Sequence, residues 1–161
     1  MKAVLYTLTK VDEVLAKAEA IILIGFVSVM TGIVFLQVLY RYVLTQPLHW
    51  SEELARYLFV WLSILGATLG LQKRGHFGLE ILFRMLPHQM RRLVGFLILL
   101  LVGALVVVIL VSGIELVEKT ASQESPAMGI PMGWAYACLP VGAALMAFHL
   151  LVIFFKDTAK P

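Results

Sequence analysis

The sequence predicts an all-α membrane protein with four transmembrane helices, and its composition, apolar runs and charge distribution all lead to this fold class. Of its 161 residues, 61% are hydrophobic and 14% are charged, with a mean hydropathy of +0.93. A soluble core of this size could not bury so much apolar surface. Four runs without a charged residue carry the excess, over residues 20–40, 57–72, 93–114 and 125–155.

These runs set the number and the limits of the spans. A helix needs about 20 mostly apolar residues to cross a bilayer, and the second run reaches that length only if residues 51–56 form its first turns at the headgroups. We expect spans at about 20–43, 51–72, 92–115 and 131–155, within a single integral membrane domain that covers residues 1–161. The first span should stay as an anchor, because no small-x-small cleavage site follows its apolar run.

The positions of Lys and Arg predict the orientation. Ten of the thirteen fall in the N-terminal segment, the middle connection and the C-terminal tail. By the positive-inside bias, both termini and the connection between spans two and three face the cytoplasm, which is an N-in/C-in arrangement. The formal net charge of +3 is then a topology signal, and it gives no support for nucleic-acid binding.

Two segments outside the spans carry apolar stripes at helical spacing. In the N-terminal segment the stripe consists of Val4, Leu8, Val11, Leu15, Ala18 and Ile22, while Lys10, Asp12, Glu13 and Lys17 fall elsewhere on the helical wheel. This pattern predicts an amphipathic interfacial helix on the inner leaflet or against a partner, although a short solvated helix fits the spacing equally well. A second stripe, ended by Pro87, predicts a short interfacial helix over 77–86.

The start of the second span carries the strongest functional signal, because charged residues lie there against the mouth of an apolar helix. Ser51 is predicted to cap this helix, with Glu52 and Glu53 in the first turn, where they complement the helix dipole. Glu52 and Arg56 are four residues apart and can form an ion pair.

A simpler interpretation of the same segment is capping combined with interface anchoring by Trp50 and Tyr57. It leaves Glu53 without a partner, and also Arg41, which lies at the outer end of the first span against the charge bias. We therefore predict a charge cluster at the outer interface that fixes the first two spans to each other or to another subunit. Its members are Arg41, Glu52, Glu53 and Arg56.

Small residues indicate where helices approach each other. Gly66 and Gly70 form a GxxxG motif on the second span, which predicts a close helix contact within this chain or to another one. Cys138 is the single cysteine, so it cannot form an internal disulfide, and we expect it to pack in the fourth span. A helix break is expected only around Pro140.

Signals for other chemistry are weak. None of the four runs contains an acidic residue, which argues against this chain binding a transported ion by itself. His76 and His149 could lie at a similar depth, as a haem would require, although a satisfied histidine is the commoner case. A membrane haem or quinone protein is therefore one alternative. A small multidrug carrier is another, but it needs an acid inside the first span.

Two sequence elements match a known family. They are Gln37-Val38-x-x-Arg41-Tyr42 and Trp50-Ser51-Glu52-Glu53-x-x-Arg56, and the match extends through Gly66, His76, Gly113, residues 126–132, Tyr136 and Pro140. The chain resembles, over nearly its whole length, the small membrane subunit of tripartite ATP-independent periplasmic (TRAP) transporters, the DctQ type.

The resemblance implies a non-enzymatic, four-span subunit in the inner (cytoplasmic) membrane of a bacterium or archaeon. Its partners would be a large membrane subunit, a periplasmic substrate-binding protein and membrane lipid. The large subunit would carry the sodium and substrate sites and move as an elevator, and this chain would be stationary scaffold without a cofactor. The substrate would be an organic acid such as a dicarboxylate or sialic acid. The candidate interface residues are Arg41, Trp50, Ser51, Glu52, Glu53, Arg56, Gly66 and Gly70.

Overall fold

The computed structural model of the protein describes residues 2–73 and 87–158. All regular secondary structure in these ranges is helical. The helices are α1 (Lys2–Tyr42), α2 (His49–Gln72), α3 (His88–Thr120), α4 (Gly133–Tyr136) and α5 (Cys138–Thr158). The interfacial helix predicted over 77–86 lies outside the described residues, and so does His76.

Four segments of the described chain are long and apolar enough to cross a membrane. They are Leu5–Tyr42, His49–Gln72, Leu93–Thr120 and Gly133–Lys156, the last of which combines α4 with most of α5. The predicted all-α fold with four spans is thus confirmed, while the orientation stays a prediction. We call the end of the bundle with residues 43–48 and 121–132, predicted to face the periplasm, the outer end, and the opposite one the inner end.

Helix α1 is much longer than a bilayer requires. Its 41 residues form one helix about 60 Å long, compared with a hydrocarbon core of about 30 Å. The N-terminal segment is helical, but it continues directly into the first span instead of forming a separate element. Asp12 lies beside Gln72 and Lys156, near the ends of α2 and α5. The residues before Asp12 therefore extend about 15 Å past this level.

Helix α5 has the most neighbours in the bundle, because it contacts α1, α2 and α3, and α2 also packs against α1. The buried residues of α1 are Asp12, Ala16, Glu19 and Ile33. They share one face of the helix, because their spacings of four, three and fourteen residues follow its turns. Val11 and Ile22 of the predicted apolar stripe are exposed beside this face. Asp12, which falls outside the predicted apolar stripe, is buried on this face.

Two glycines allow α5 to approach its neighbours closely. A Cβ at Gly142 would collide with the γ2 methyl of Ile64 on α2, and a Cβ at Gly113 on α3 would lie 3.1 Å from the backbone nitrogen of Pro140. Isoleucine branches at its own Cβ, so this methyl cannot move aside without a change of χ1. Both close contacts therefore depend on the missing side chain.

The fourth apolar segment is interrupted at Ala137. Pro140 has no N–H group, so the carbonyl of Tyr136 lacks its usual donor four residues later. Helix α4 therefore ends after one turn, and α5 begins at Cys138, whose side chain is fully buried. The break lies three residues before the proline that suggested it.

Large apolar side chains cover the outward surface of α3. Its residues that are more than half exposed include Leu93, Phe96, Leu97, Leu100, Leu101 and Leu105. Such a continuous apolar surface is unfavourable in water and suits contact with lipid acyl chains.

Candidate functional site

Glu53 joins the start of α2 to the loop before α4. Its side chain is almost completely buried. Oε1 accepts a hydrogen bond from the Tyr57 hydroxyl, and Oε2 accepts hydrogen bonds from the backbone N–H groups of Ala127, at 2.8 Å, and Met128, at 3.2 Å. Hydrogen bonds to an ionised carboxylate are stronger than neutral ones. Glu53 thus fixes the loop over residues 121–132 against α2.

This loop is folded so that it offers two amides to Glu53. The N–H of Ser125 donates to the carbonyl of Ile130 at 2.8 Å, and the N–H of Gly129 donates to the carbonyl of Ser125 at 3.0 Å. Gly129 has a φ of 64°, in the left-handed region that favours glycine. The turn leaves the N–H groups of Ala127 and Met128 for the carboxylate.

A polar notch lies between α1 and α2 at the outer end. Nε2 of Gln37 donates to Oε1 of Glu52 at 2.9 Å, which links the two helices. The residues that line the notch are Gln37, Arg41, Pro47, Leu48, His49 and Glu52. The notch therefore brings together the two sequence elements that carried the family resemblance.

The two arginines of the predicted charge cluster form no ion pair with described residues. Arg56 is exposed, and the guanidinium carbon of Arg41 lies 5.9 Å from the centroid of the Tyr42 ring, which is within cation–π distance. Glu52 binds Gln37 instead of Arg56. The four charged residues thus lie at one end of the bundle without pairing, and their role toward another subunit stays a prediction.

Ser51 does not cap α2, so this prediction was wrong. The helix begins two residues earlier, at His49, after the extended residue Leu48. Ser51 lies inside the first turn and is fully buried, and its hydroxyl donates to the carbonyl of Leu48 at 2.7 Å. A serine hydroxyl in a helix often binds a carbonyl of the preceding turn in this way. Trp50, beside it, is partly exposed at the outer end.

The GxxxG motif lies on the outward face of α2. A Cβ added to Gly66 or Gly70 would meet no atom within 4 Å, so neither glycine makes a close contact with the rest of the described chain. Both belong to a row of exposed residues at three- and four-residue spacing, which we call the α2 stripe. It consists of Glu52, Arg56, Phe59, Ser63, Gly66, Gly70 and Lys73.

A second group of buried polar residues lies at the inner end. His149 of α5 is fully buried, with Nδ1 2.7 Å from Oδ1 of Asp12 and Nε2 3.0 Å from Oε1 of Glu19. The Thr68 hydroxyl lies 2.5 Å from Oε2 of Glu19 and 2.7 Å from the carbonyl of Leu65, and Nε2 of Gln72 donates to Oδ2 of Asp12 at 3.2 Å. We define the inner cluster as Asp12, Glu19, Thr68, Gln72 and His149.

Sequence reasoning missed the inner cluster, although one signal for it exists. Asp12 and Glu19 are seven residues apart and therefore lie on one face of a helix. Glu19 directly precedes the first apolar run, so a span that begins at residue 20 leaves it out. The haem alternative receives no support from His149, because both of its ring nitrogens face carboxylates and neither is free to bind iron.

The chain matches the model of one protein family over residues 30–160. The family is described as "Tripartite ATP-independent periplasmic transporters, DctQ component". The matched range contains the notch, Glu53 and its loop, the α2 stripe and His149. It begins after Asp12 and Glu19.

Curated relatives carry related names. The sialic acid TRAP transporter permease protein SiaT of Haemophilus influenzae is 33% identical over 120 residues, which cover 74% of this chain and 20% of SiaT. The sialic acid TRAP transporter small permease protein SiaQ of Vibrio cholerae is 27% identical over 89% of this chain and 83% of SiaQ. The C4-dicarboxylate TRAP transporter small permease protein DctQ of Rhodobacter capsulatus is 34% identical over 66% of this chain and 48% of DctQ. This chain thus spans about a fifth of SiaT, about half of DctQ and most of SiaQ.

Proposed function

Because the chain belongs to the DctQ component family of TRAP transporters, in which it is a small permease subunit and not an enzyme, we propose that it is a stationary scaffold for a large permease subunit. In this proposal the large subunit moves the substrate across the inner membrane. This chain holds the large subunit in place and binds neither substrate nor ion.

The observation that carries this proposal is the state of the buried acids. The buried acidic side chains of the described part are Asp12, Glu19 and Glu53. Each of them already accepts hydrogen bonds from residues of this chain. Ion-coupled carriers build their sites from groups at the membrane midplane that face the ion. Carboxylates that hold helices and a loop together suit a frame better than a carrier.

The length of one relative supports a larger partner. SiaT aligns with this chain over a fifth of its own length, so most of that permease lies outside the aligned region. SiaQ, a small permease protein, is covered over most of its length. We infer that the transporter also contains a large subunit, which corresponds to the rest of SiaT.

The names of the relatives suggest the substrate class. SiaT and SiaQ are named for sialic acid and the Rhodobacter DctQ for C4-dicarboxylates, and both are organic acids. We infer that this transporter takes up an organic acid delivered by a periplasmic binding protein. Uptake would be coupled to sodium ions bound in the large subunit, and this chain would need no cofactor.

We propose that the large subunit docks on the α2 stripe. The exposed surface of α3 is built from large apolar side chains, whereas the middle of the α2 stripe offers Ser63, Gly66 and Gly70. Small residues let a second helix approach closely and gain van der Waals contact. Arg56, near the outer end of the stripe, makes no ion pair with described residues and could meet a carboxylate of the partner.

Reconstitution tests the scaffold proposal. Proteoliposomes would contain this chain alone, the large subunit alone, or both, with the binding protein and a sodium gradient supplied in each case. We expect sodium-driven uptake of sialic acid or a C4-dicarboxylate when all three proteins are present, and none with this chain alone. Omitting the binding protein or the gradient is the control. Uptake by this chain in the absence of the large subunit would refute the proposal.

A further inference from the structure

The inner cluster joins three helices around one buried histidine. Asp12 and Glu19 come from α1, Thr68 and Gln72 from α2, and His149 from α5. Of these, Asp12, Glu19, Thr68 and His149 are less than 5% exposed. Such a group costs free energy unless every polar atom is paired. No buried side-chain nitrogen or oxygen of the described residues lacks a partner.

The two contacts of His149 need more protons than a neutral imidazole supplies. Both ring nitrogens of His149 lie within hydrogen-bond distance of carboxylate oxygens. A neutral imidazole carries one N–H, and its other nitrogen is an acceptor that would face a second acceptor. Two hydrogen bonds therefore require one further proton, carried by the imidazole or by one of the two carboxyl groups.

The net charge of the side chains around His149 also favours one additional proton. The charged and titratable side chains that face His149 among the described residues are Asp12 and Glu19 from α1, and α2 contributes only neutral groups. Lys156 of α5 lies with Nζ 3.6 Å from Oδ2 of Asp12. Two carboxylates and one ammonium leave one negative charge, which the additional proton cancels. A buried group of this kind is far less costly when its charges balance.

We propose that the inner cluster is a proton-held clasp. The proton shared by His149, Asp12 and Glu19 fixes the inner half of α1 to α2 and α5, and loss of this proton releases that half. The clasp does not depend on the function proposed above, because its residues and contacts all lie within this chain.

The clasp predicts a direction for the effect of pH. A closed state that holds a proton which the open state gives up becomes less favourable as the pH rises. The inner half of α1 should therefore be docked at low pH and mobile at high pH. A variant that cannot hold this proton but keeps both carboxylates should leave the inner half of α1 mobile at every pH.

Distances between spin labels test the clasp in the full-length chain in lipid nanodiscs. Val14 and Leu151 are both more than half exposed, on α1 and α5, and accept labels in a Cys138→Ala background. For the unmodified cluster we expect a narrow distance distribution at about pH 6 and a broad one at about pH 9. The His149→Gln variant should give the broad distribution at both pH values.

A variant with balanced charges distinguishes the effect of the shared proton from the effect of side-chain packing at position 149. His149→Gln combined with Glu19→Gln leaves Asp12 opposite Lys156, so the net charge of the group is zero. The narrow distance distribution should therefore return at both pH values. Thr68→Val, which removes a neutral donor, should keep the pH dependence. The proposal is overturned if the unmodified cluster gives the same distribution at both pH values. It is also overturned if the double variant is as broad as His149→Gln.

Discussion

At the scale of single residues, Glu53 connects α2 to the loop over residues 121–132 at the outer end. Its carboxylate connects the first turns of α2 with amides that lie 74 and 75 residues later in the chain. The loop over residues 121–132 has its own internal hydrogen bonds, and Glu53 links it to α2, beside a second link in which Nε1 of Trp61 donates to the carbonyl of Trp134. A change at Glu53 should therefore be felt in the loop.

Glu53→Ala should loosen this loop, because two backbone N–H groups and the Tyr57 hydroxyl lose their acceptor. We expect faster proteolysis within residues 121–132 and a lower thermal midpoint in detergent. Glu53→Gln keeps one acceptor oxygen and should have a smaller effect.

Glu118→Ala is the matched control, because Glu118 is an exposed acid near the same end of the bundle. It should leave both measurements unchanged. If the loop stays equally protected in Glu53→Ala, the carboxylate does not position it.

Residue contacts were the part of the structure that the sequence predicted least well. The charges near residue 53 marked this region as special, but backbone amides leave no signature in a sequence, so the partners of Glu53 could not be found. His149 and Asp12 are 137 residues apart. Their contact follows from the way α1 and α5 pack, which periodicity within one helix does not reveal.

At the scale of elements, the α2 stripe differs from the outward surface of α3. The large apolar side chains of the α3 surface make as much van der Waals contact with lipid as with protein. A row with small residues makes more van der Waals contact with a closely packed second helix. Gly66 and Gly70 lie at the middle of this row with open space beside them.

Leucine at Gly66 or Gly70 should disrupt docking of the large subunit without harming this chain. Overpacking a contact costs about 1–3 kcal/mol, which corresponds to a loss of affinity of roughly 5- to 150-fold. Recovery of the large subunit with an affinity-tagged variant of this chain measures the effect.

Gly25→Leu provides the control for this experiment. Gly25 is an exposed glycine of α1 that also has nothing within 4 Å of an added Cβ, and it lies outside the stripe. We expect normal recovery of the complex for this variant. Equal recovery for Gly25→Leu and Gly66→Leu would argue against docking on the α2 stripe.

The existence of the spans followed from composition, because twenty apolar residues in a row have few other places to fold. Their ends were harder to predict. Charged residues before residue 20 suggested that the first span begins there, yet α1 passes through Asp12 and Glu19 without a break. A charged residue ends an apolar run in the sequence. It does not end the helix when a partner such as His149 binds its side chain.

At the scale of the whole molecule, the charge distribution predicts which ends face the cytoplasm. Positions 47 and 123 should be periplasmic, and positions 75 and 160 cytoplasmic, because ten of thirteen Lys and Arg residues fall on the cytoplasmic side. Single cysteines at these four positions, labelled in intact cells with an impermeant thiol reagent, measure this. Only positions 47 and 123 should react.

The native thiol needs no special treatment in that experiment beyond a control. Cys138 is fully buried and should stay unlabelled in the parent chain. Permeabilised cells should allow labelling at positions 75 and 160. Labelling of position 75 from outside intact cells would reverse the predicted orientation.

The continuity of α1 couples the two ends of the bundle. Glu19 and Gln37 are eighteen residues apart, which is five full turns at 3.6 residues per turn, so they share one rotational phase. One side chain binds His149 and Thr68 at the inner end, and the other binds Glu52 at the outer end. When an unbroken helix rotates about its axis as a whole, all of its residues turn by the same angle. Any rotation of α1 that separates Glu19 from His149 therefore turns Gln37 away from Glu52 by the same angle, on the opposite side of the membrane.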